Sequence, residues 1–391
     1  MTTAPNETGH SIPWFILFFD LIIVAGVSQV AHVYGENPSW EGYGYVATRV
    51  LVMFAIWGVT TLELLVRDSW PRRVLVMAQM LAFVVAILSV GEDQGLDAHW
   101  AFSALAIVMG TAAILVGMRV RRKEPHTSGE LGVALALAAS SLAFFPPALL
   151  PLGTMWGPLL ASQWCFYGGT LIVVLASAVH APRVILKSGL VKKYDVEERL
   201  GLILMIVLGE SFLMLLGTVG KNVTIEQPWF LVATVLLVMS VWTLYFPSLA
   251  HAHFPRSVIG LRARLVVHLL LIFGVIDAIV ALVALAKEGV DTDAISGARD
   301  TWAALAIELI LVSILLLVIA RDRRWTLTVT VLVVAIVSVA GLGLAGIWTS
   351  VGEADNLMFG AVVIVLFSGL LSVYLNWRAQ RDVSSNVGIS G

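Results

Sequence analysis

The sequence holds a single cysteine, Cys165, in 391 residues. One thiol forms no internal disulfide and no cysteine-based metal cluster. Charge is scarce as well: 13 % of residues are Asp, Glu, Lys or Arg, about half of the roughly 25 % usual in soluble domains. No polar gap is long enough to fold as a soluble domain. Walker loops, His-Glu-x-x-His and nucleophile elbows do not occur. The run "GLGLAG" (341–346) matches G-x-G-x-x-G literally, but it sits in an apolar stretch without a strand and turn, so it indicates helix packing by small residues. "HAH" (His251 and His253) has no helical His-x-x-x-His pair or neighbouring carboxylate to support a metal. The basic residues are spread over loops. No nucleic acid, cofactor or metal is therefore expected. Residues 1–13 lack Lys and Arg, and no small-residue cleavage site follows the first apolar run. A retained first helix is expected rather than a cleaved signal.

What is present is hydrocarbon. The chain is 59 % hydrophobic with a mean hydropathy of +0.92, well above the 45–50 % or so of soluble domains. A membrane helix needs about 20 largely apolar residues. On that scale an all-α, polytopic membrane bundle of about twelve helices is expected: 14–34, 45–66, 74–90, 100–118, 131–150, 158–180, 199–219, 228–247, 265–286, 301–320, 326–347 and 357–377. The fifth is expected to end at Pro146-Pro147. Residues 1–13 and 378–391 are tails. Alternate connections carry the basic residues, among them "RDSWPRR" (67–73), "RVRRKEPH" (119–126) and "RDRR" (321–324), whereas the opposite loops hold only Lys221, Lys287 and Arg299. Basic loops stay in the cytoplasm, so both termini are expected there. Nine of the Trp residues, such as Trp14, Trp70 and Trp100, fall near helix ends as an interfacial belt. Trp57, Trp164 and Trp242 lie deeper, in core packing or a pocket wall.

Acids within such helices are costly, about 2.5–3.5 kcal/mol for a central Asp. At 1.5 Å per residue, Asp20 lies about 9 Å into its helix, Glu210 about 16 Å, Asp277 about 18 Å and Glu308 about 10 Å. These four are the candidates for proton or cation coupling; the competing reading is that they hold helices together by hydrogen bonds. Glu63, four residues before Arg67, suggests an ion pair at the membrane edge. Arg49 either snorkels to the interface or reaches a buried acid. Ser28, Gln29 and His32 share one face of the first helix, with His32 near the outer surface. Asp20 and Glu210 stand 190 residues apart, each on a helix running outward, each followed by small residues. This suggests a six-plus-six duplication of parallel sense, with halves 14–180 and 199–377.

"LFFDL" (17–21) followed by Gln29 and His32 resembles the first-helix signature of the bacterial low temperature requirement protein A (LtrA) family. Trp57, Thr60, Arg67 and Asp68 are similar to the end of that family's second helix, and Arg73 to Met80 to its third. "ERLGLILMIVLGES" resembles its seventh-helix block and places Glu198, Arg199, Gly201, Leu202, Leu208, Gly209, Glu210 and Ser211 in the motif. Two positions depart from the pattern: Ile16 stands for an acid and Asp195 for a histidine. The resemblance implies the bundle, its topology and weight on Asp20 and Glu210. It implies no reaction, since the family name records a cold-growth phenotype.

Three functions stay open on the residues. The first is a proton- or cation-coupled secondary transporter with Asp20 and Glu210 as coupling acids. Ser28, Gln29, His32, Ser211, Arg199 and Arg49 would be its polar partners, and Arg199 would steady the cytoplasmic entrance of the seventh helix. The second is a membrane-embedded enzyme acting on lipid or an isoprenoid carrier. The third is a structural or sensory protein whose acids only staple helices. The bilayer is the one partner expected; the substrate and a homo-oligomeric state stay undetermined.

Overall fold

The computed structural model describes residues 14–36, 40–66, 69–89, 96–121, 130–151, 154–156, 159–188, 195–220, 228–249, 257–287, 296–321, 327–348, and 360–365, 367–368, 371 and 374. Eleven helices run through them: α1 (Trp14–Glu36), α2 (Trp40–Val66), α3 (Trp70–Leu88), α4 (Leu96–Arg121), α5 (Glu130–Leu149), α6 (Ala161–Ser188), α7 (Asp195–Gly220), α8 (Pro228–Leu249), α9 (Val258–Lys287), α10 (Ser296–Arg321) and α11 (Leu327–Trp348). A twelfth, α12, is described at 360–365. Seven of these carry long apolar spans, and α8, α10 and α11 carry the shorter stretches Leu231–Phe246, Ala303–Ile319 and Val329–Ala340. The chain is thus a polytopic membrane bundle. Its backbone groups are satisfied within helices, as hydrocarbon requires.

Several helices outrun the apolar stretches that announce them. α4 continues through Arg119 and Arg121, and α9 starts at Val258, so Arg262 and Arg264 are helical rather than in a loop. α6 passes Pro182 and reaches Ser188. α5 likewise does not stop at Pro146-Pro147 but closes one more turn, with Leu150 N donating to Pro146 O at 2.9 Å. A proline costs the bond of its own missing N–H, and its carbonyl still accepts. A minimal antiparallel hairpin joins Met155–Trp156 to Leu159–Leu160 before α6.

The outer faces are apolar, with Leu88 78 %, Leu142 71 % and Leu171 60 % exposed toward the bilayer. Inside, residues 271–280 of α9 are all buried, the mark of a central helix enclosed on every side. Gly274 permits this enclosure: a Cβ there would lie 3.1 Å from Ile310 Cγ1 and 3.3 Å from Ala306 O of α10.

Five helix adjacencies recur at a step of six, whereas the packing of α8 on α9 has no counterpart of similar extent between α2 and α3. In the first half, α1 packs on α2 and α3, α2 on α4, α3 on α4, and α4 on α5. In the second, α7 packs on α8 and α9, α8 on α10, α9 on α10, and α10 on α11. The two sets meet where α1 packs against α7 and α9, with α9 also touching α2 and α6.

Candidate functional site

The seam between α1 and α7 is laced by polar groups at two depths. At the first, Asp20 is fully buried. Its Oδ1 accepts the Trp57 indole N–H of α2 at 2.7 Å, and its Oδ2 accepts Arg199 Nη1 of α7 at 2.9 Å. Arg199 is itself buried. Asp20 therefore pairs not with Glu210 but with an arginine from the first turns of α7. This answers why an acid sits in the apolar run of α1: a carboxylate there is matched in charge and hydrogen-bonded at both oxygens.

Glu210 engages the same two helices higher up. Ser28 Oγ donates to its Oε1 at 2.5 Å. On α1, Ser28 lies about 12 Å from Asp20 along the axis. Beside this pair is a gap of about 10 Å³ lined by Ser28, Glu210, Ser211 and Ile276, at the lower limit for one water. Asp20 and Glu210 thus share a helix pair without sharing partners. Ser211 bonds its own helix, Oγ to Val207 O at 2.9 Å. Gln29, next to Ser28, and His32, one turn further along α1, are half-buried.

The other candidates are placed elsewhere. Asp277 is buried within α9. Glu308 lies on α10, with its carboxyl near the Ala340 backbone of α11. The Arg49 guanidinium stacks over the Phe166 ring of α6, 4.9 Å from the centroid. Trp57 is buried, but Trp164 and Trp242 are 48 % and 45 % exposed, which makes them surface rather than core. Arg67, Asp68, His251 and His253 lie outside the described residues, as do the side chains of Asp195 and Lys287.

A second buried cluster joins five helices near the same end of the bundle. Glu63 of α2 accepts Arg119 Nη1 of α4 at 3.2 Å and faces His180 Nε2 of α6 at 3.0 Å. Arg119 Nε stands 3.5 Å from Glu130 Oε2 of α5. Arg72 of α3, also fully buried, approaches the Glu63 carbonyl at 3.4 Å. Above it, Thr60 donates to Gln79 Oε1 at 3.1 Å, and Gln79 Nε2 donates to Val108 O at 3.3 Å. Sequence reasoning placed Glu63 at the membrane edge and counted Arg119 among loop charges; both are core. The available signal was spacing: Arg119 follows an apolar run without a break, so helix α4 can carry it inward.

Between α2, α6, α7 and α9 lies a cavity of about 220 Å³. Leu51, Phe54, Val174 and Leu269 form its apolar wall, and Trp57, Thr61, Arg199 and Arg262 supply its polar groups. Two residues that hold Asp20 therefore also line this space. No group of three or more His, Cys, Asp or Glu able to hold a metal occurs among the described residues.

The family model described as "Bacterial low temperature requirement A protein (LtrA)" matches residues 12–368. No curated protein matches the chain.

Proposed function

We propose that this chain, which belongs to the bacterial low temperature requirement A (LtrA) family, is a proton- or cation-coupled secondary transporter of the cytoplasmic membrane. The observation that carries the reading is the Asp20–Arg199 pair. It ties the first helix of one half to the first helix of the other, and its guanidinium also walls the 220 Å³ cavity.

The repeated helix adjacency supports halves 14–180 and 199–377 of parallel sense, the layout in which two bundles rock about a shared site. The coupling follows from charge. A proton taken up by Asp20 removes its negative charge and leaves Arg199 without its counterion beside the cavity. Arg199 then holds an anionic group of the substrate, and the seam between α1 and α7 loosens. Release of the proton restores the pair and expels the substrate. Ser28–Glu210 is a second contact on the same seam, made and broken as the halves move, with Glu210 the second coupling acid. With the basic loops inside, the Asp20 level lies toward the cytoplasm and the Glu210 level nearer the midplane.

Growth of a deletion strain complemented with Glu210→Gln tests this assignment. The variant retains a group that can accept from Ser28 but cannot carry a proton, and loss of complementation at wild-type membrane abundance is expected. Full complementation would remove Glu210 from the coupling.

A further inference from the structure

The cavity between α2, α6, α7 and α9 has a polar end and an apolar end. Arg199 lies four residues from the start of α7 and Arg262 four from the start of α9, so both sit at the end of the bundle where α2 and α6 finish. From there the wall runs along Leu62, Val174 and Leu269 toward Leu51 and Phe54. The mouth is lateral. Ala178 of α6 and Val266 of α9 line the cavity and are exposed, Val266 at 53 %, and both fall within candidate membrane spans. A lipid chain can therefore enter from the bilayer.

Thr61 supplies an independent sign of a ligand. It is 2 % exposed and lines the cavity, and its Oγ1 has no hydrogen-bond partner among the described residues. Threonine in a membrane helix ordinarily bonds a carbonyl of the preceding turn, as Thr111 does to Ile107. Thr61 instead presents a free hydroxyl donor to an otherwise apolar wall. Charge adds direction. Asp20 offsets Arg199, but Arg262, whose Nε donates to Ala178 O at 3.0 Å, brings a second positive group to the same end.

We infer that this cavity holds one acyl chain of an anionic glycerophospholipid drawn from the bilayer. The phosphate sits against Arg262 at the polar end, Thr61 Oγ donates to the ester carbonyl, and the chain lies along Leu62, Val174 and Leu269. Only one chain is enclosed. The volume of 220 Å³ falls below the roughly 300–1,000 Å³ of pockets that bury a whole drug-sized ligand, so the second chain stays in the bilayer outside the mouth. This site stands on its own, whether or not the chain moves an ion.

The test uses the full-length protein in phosphatidylcholine nanodiscs doped with photoactivatable phosphatidylglycerol, with adducts mapped by peptide mass spectrometry. Adducts are expected on 51–65 of α2 and 174–185 of α6. The apparent affinity should fall about tenfold in Arg262→Gln, the loss of one charge-assisted hydrogen bond. Ala178→Trp, at an exposed position that tolerates bulk, should abolish labelling by closing the mouth. Equal labelling by a photoactivatable phosphatidylcholine of the same chains would overturn the inference. So would adducts confined to other surfaces, insensitivity to both variants, or preferential labelling by a free fatty acid. Binding is read without any gradient. Lipid capture without flux would therefore sink the transport reading alone, and flux without lipid capture would sink this one alone.

Discussion

Arg199 and Asp20 stand 179 residues apart and meet at 2.9 Å inside the bundle. Attraction between buried charges is largely offset by the cost of taking both out of water, but loss of one partner leaves an uncompensated charge and costs about 3–5 kcal/mol. Asp20→Asn and Arg199→Gln should each therefore destabilise the protein strongly. Their combination should be less harmful than the sum of the two, with a coupling energy of about 0.5–3 kcal/mol. Unfolding of the four proteins in mixed micelles measures the cycle, and strict additivity would show that the pair does not form.

The Glu63 cluster makes a parallel claim in the first half. Glu63→Gln leaves Arg119 facing a neutral amide and His180 without its carboxylate. A loss of about 3–5 kcal/mol is expected, whereas Glu198→Gln, on an exposed side chain of α7, should stay within about ±0.5 kcal/mol. Thermal unfolding in detergent separates them; similar midpoints would place Glu63 at the membrane edge after all.

Glycines make a steric prediction. At Gly169 a Cβ would lie 2.8 Å from Phe144 Cε2 and Cζ, a ring held between Phe102 and Phe166. Gly169→Ala should cost about 1–3 kcal/mol, the usual penalty of overpacking. Gly168→Ala and Gly209→Ala meet nothing within 4 Å and should be neutral or stabilising. The same unfolding assay ranks the three, and a neutral Gly169→Ala would contradict the packing of α5 on α6.

Ser28 and Glu210 predict a split between fold and function. Ser28→Ala removes one hydrogen bond, worth about 0.5–1.5 kcal/mol or, to a charged acceptor, about 1.5–3. Complementation by Ser28→Ala should be weakened without the full loss expected of Glu210→Gln. Equal loss in both variants, at equal membrane abundance, would mean that the Ser28–Glu210 contact itself, and not the titration of Glu210, is what function requires.

Much of this was legible from hydropathy and charge. Isolated acids in apolar runs marked Asp20, Glu210 and Asp277, and apolar run length marked the helices. The partners were harder to see. Arg199 stood in a recognisable block, but one-dimensional reading assigned it to the entrance of its helix. Only the crossing of α1 over α7 brings it to Asp20. Arg72, Arg119 and His180 look like loop or interfacial charges because hydropathy averages over windows. Their burial depends on four helix ends converging on Glu63, which no window records. Trp57 was visible as a deep aromatic, but its role as donor to Asp20 needed the rotation of α2 about its own axis. The stacking of Arg49 was hidden for the same reason: the face of α6 that meets α2 presents Phe166.

The most direct test of the central claim is flux in proteoliposomes. Purified protein is reconstituted with a trapped pH indicator, a proton or cation gradient is imposed, and solute pools fractionated from the source cells are added outside. Wild-type protein should dissipate the gradient in the presence of at least one pool, and Asp20→Asn, folded by the micelle assay, should not. No gradient-linked flux with any pool, or flux in Asp20→Asn equal to wild type, would contradict a transporter coupled through Asp20 and Arg199.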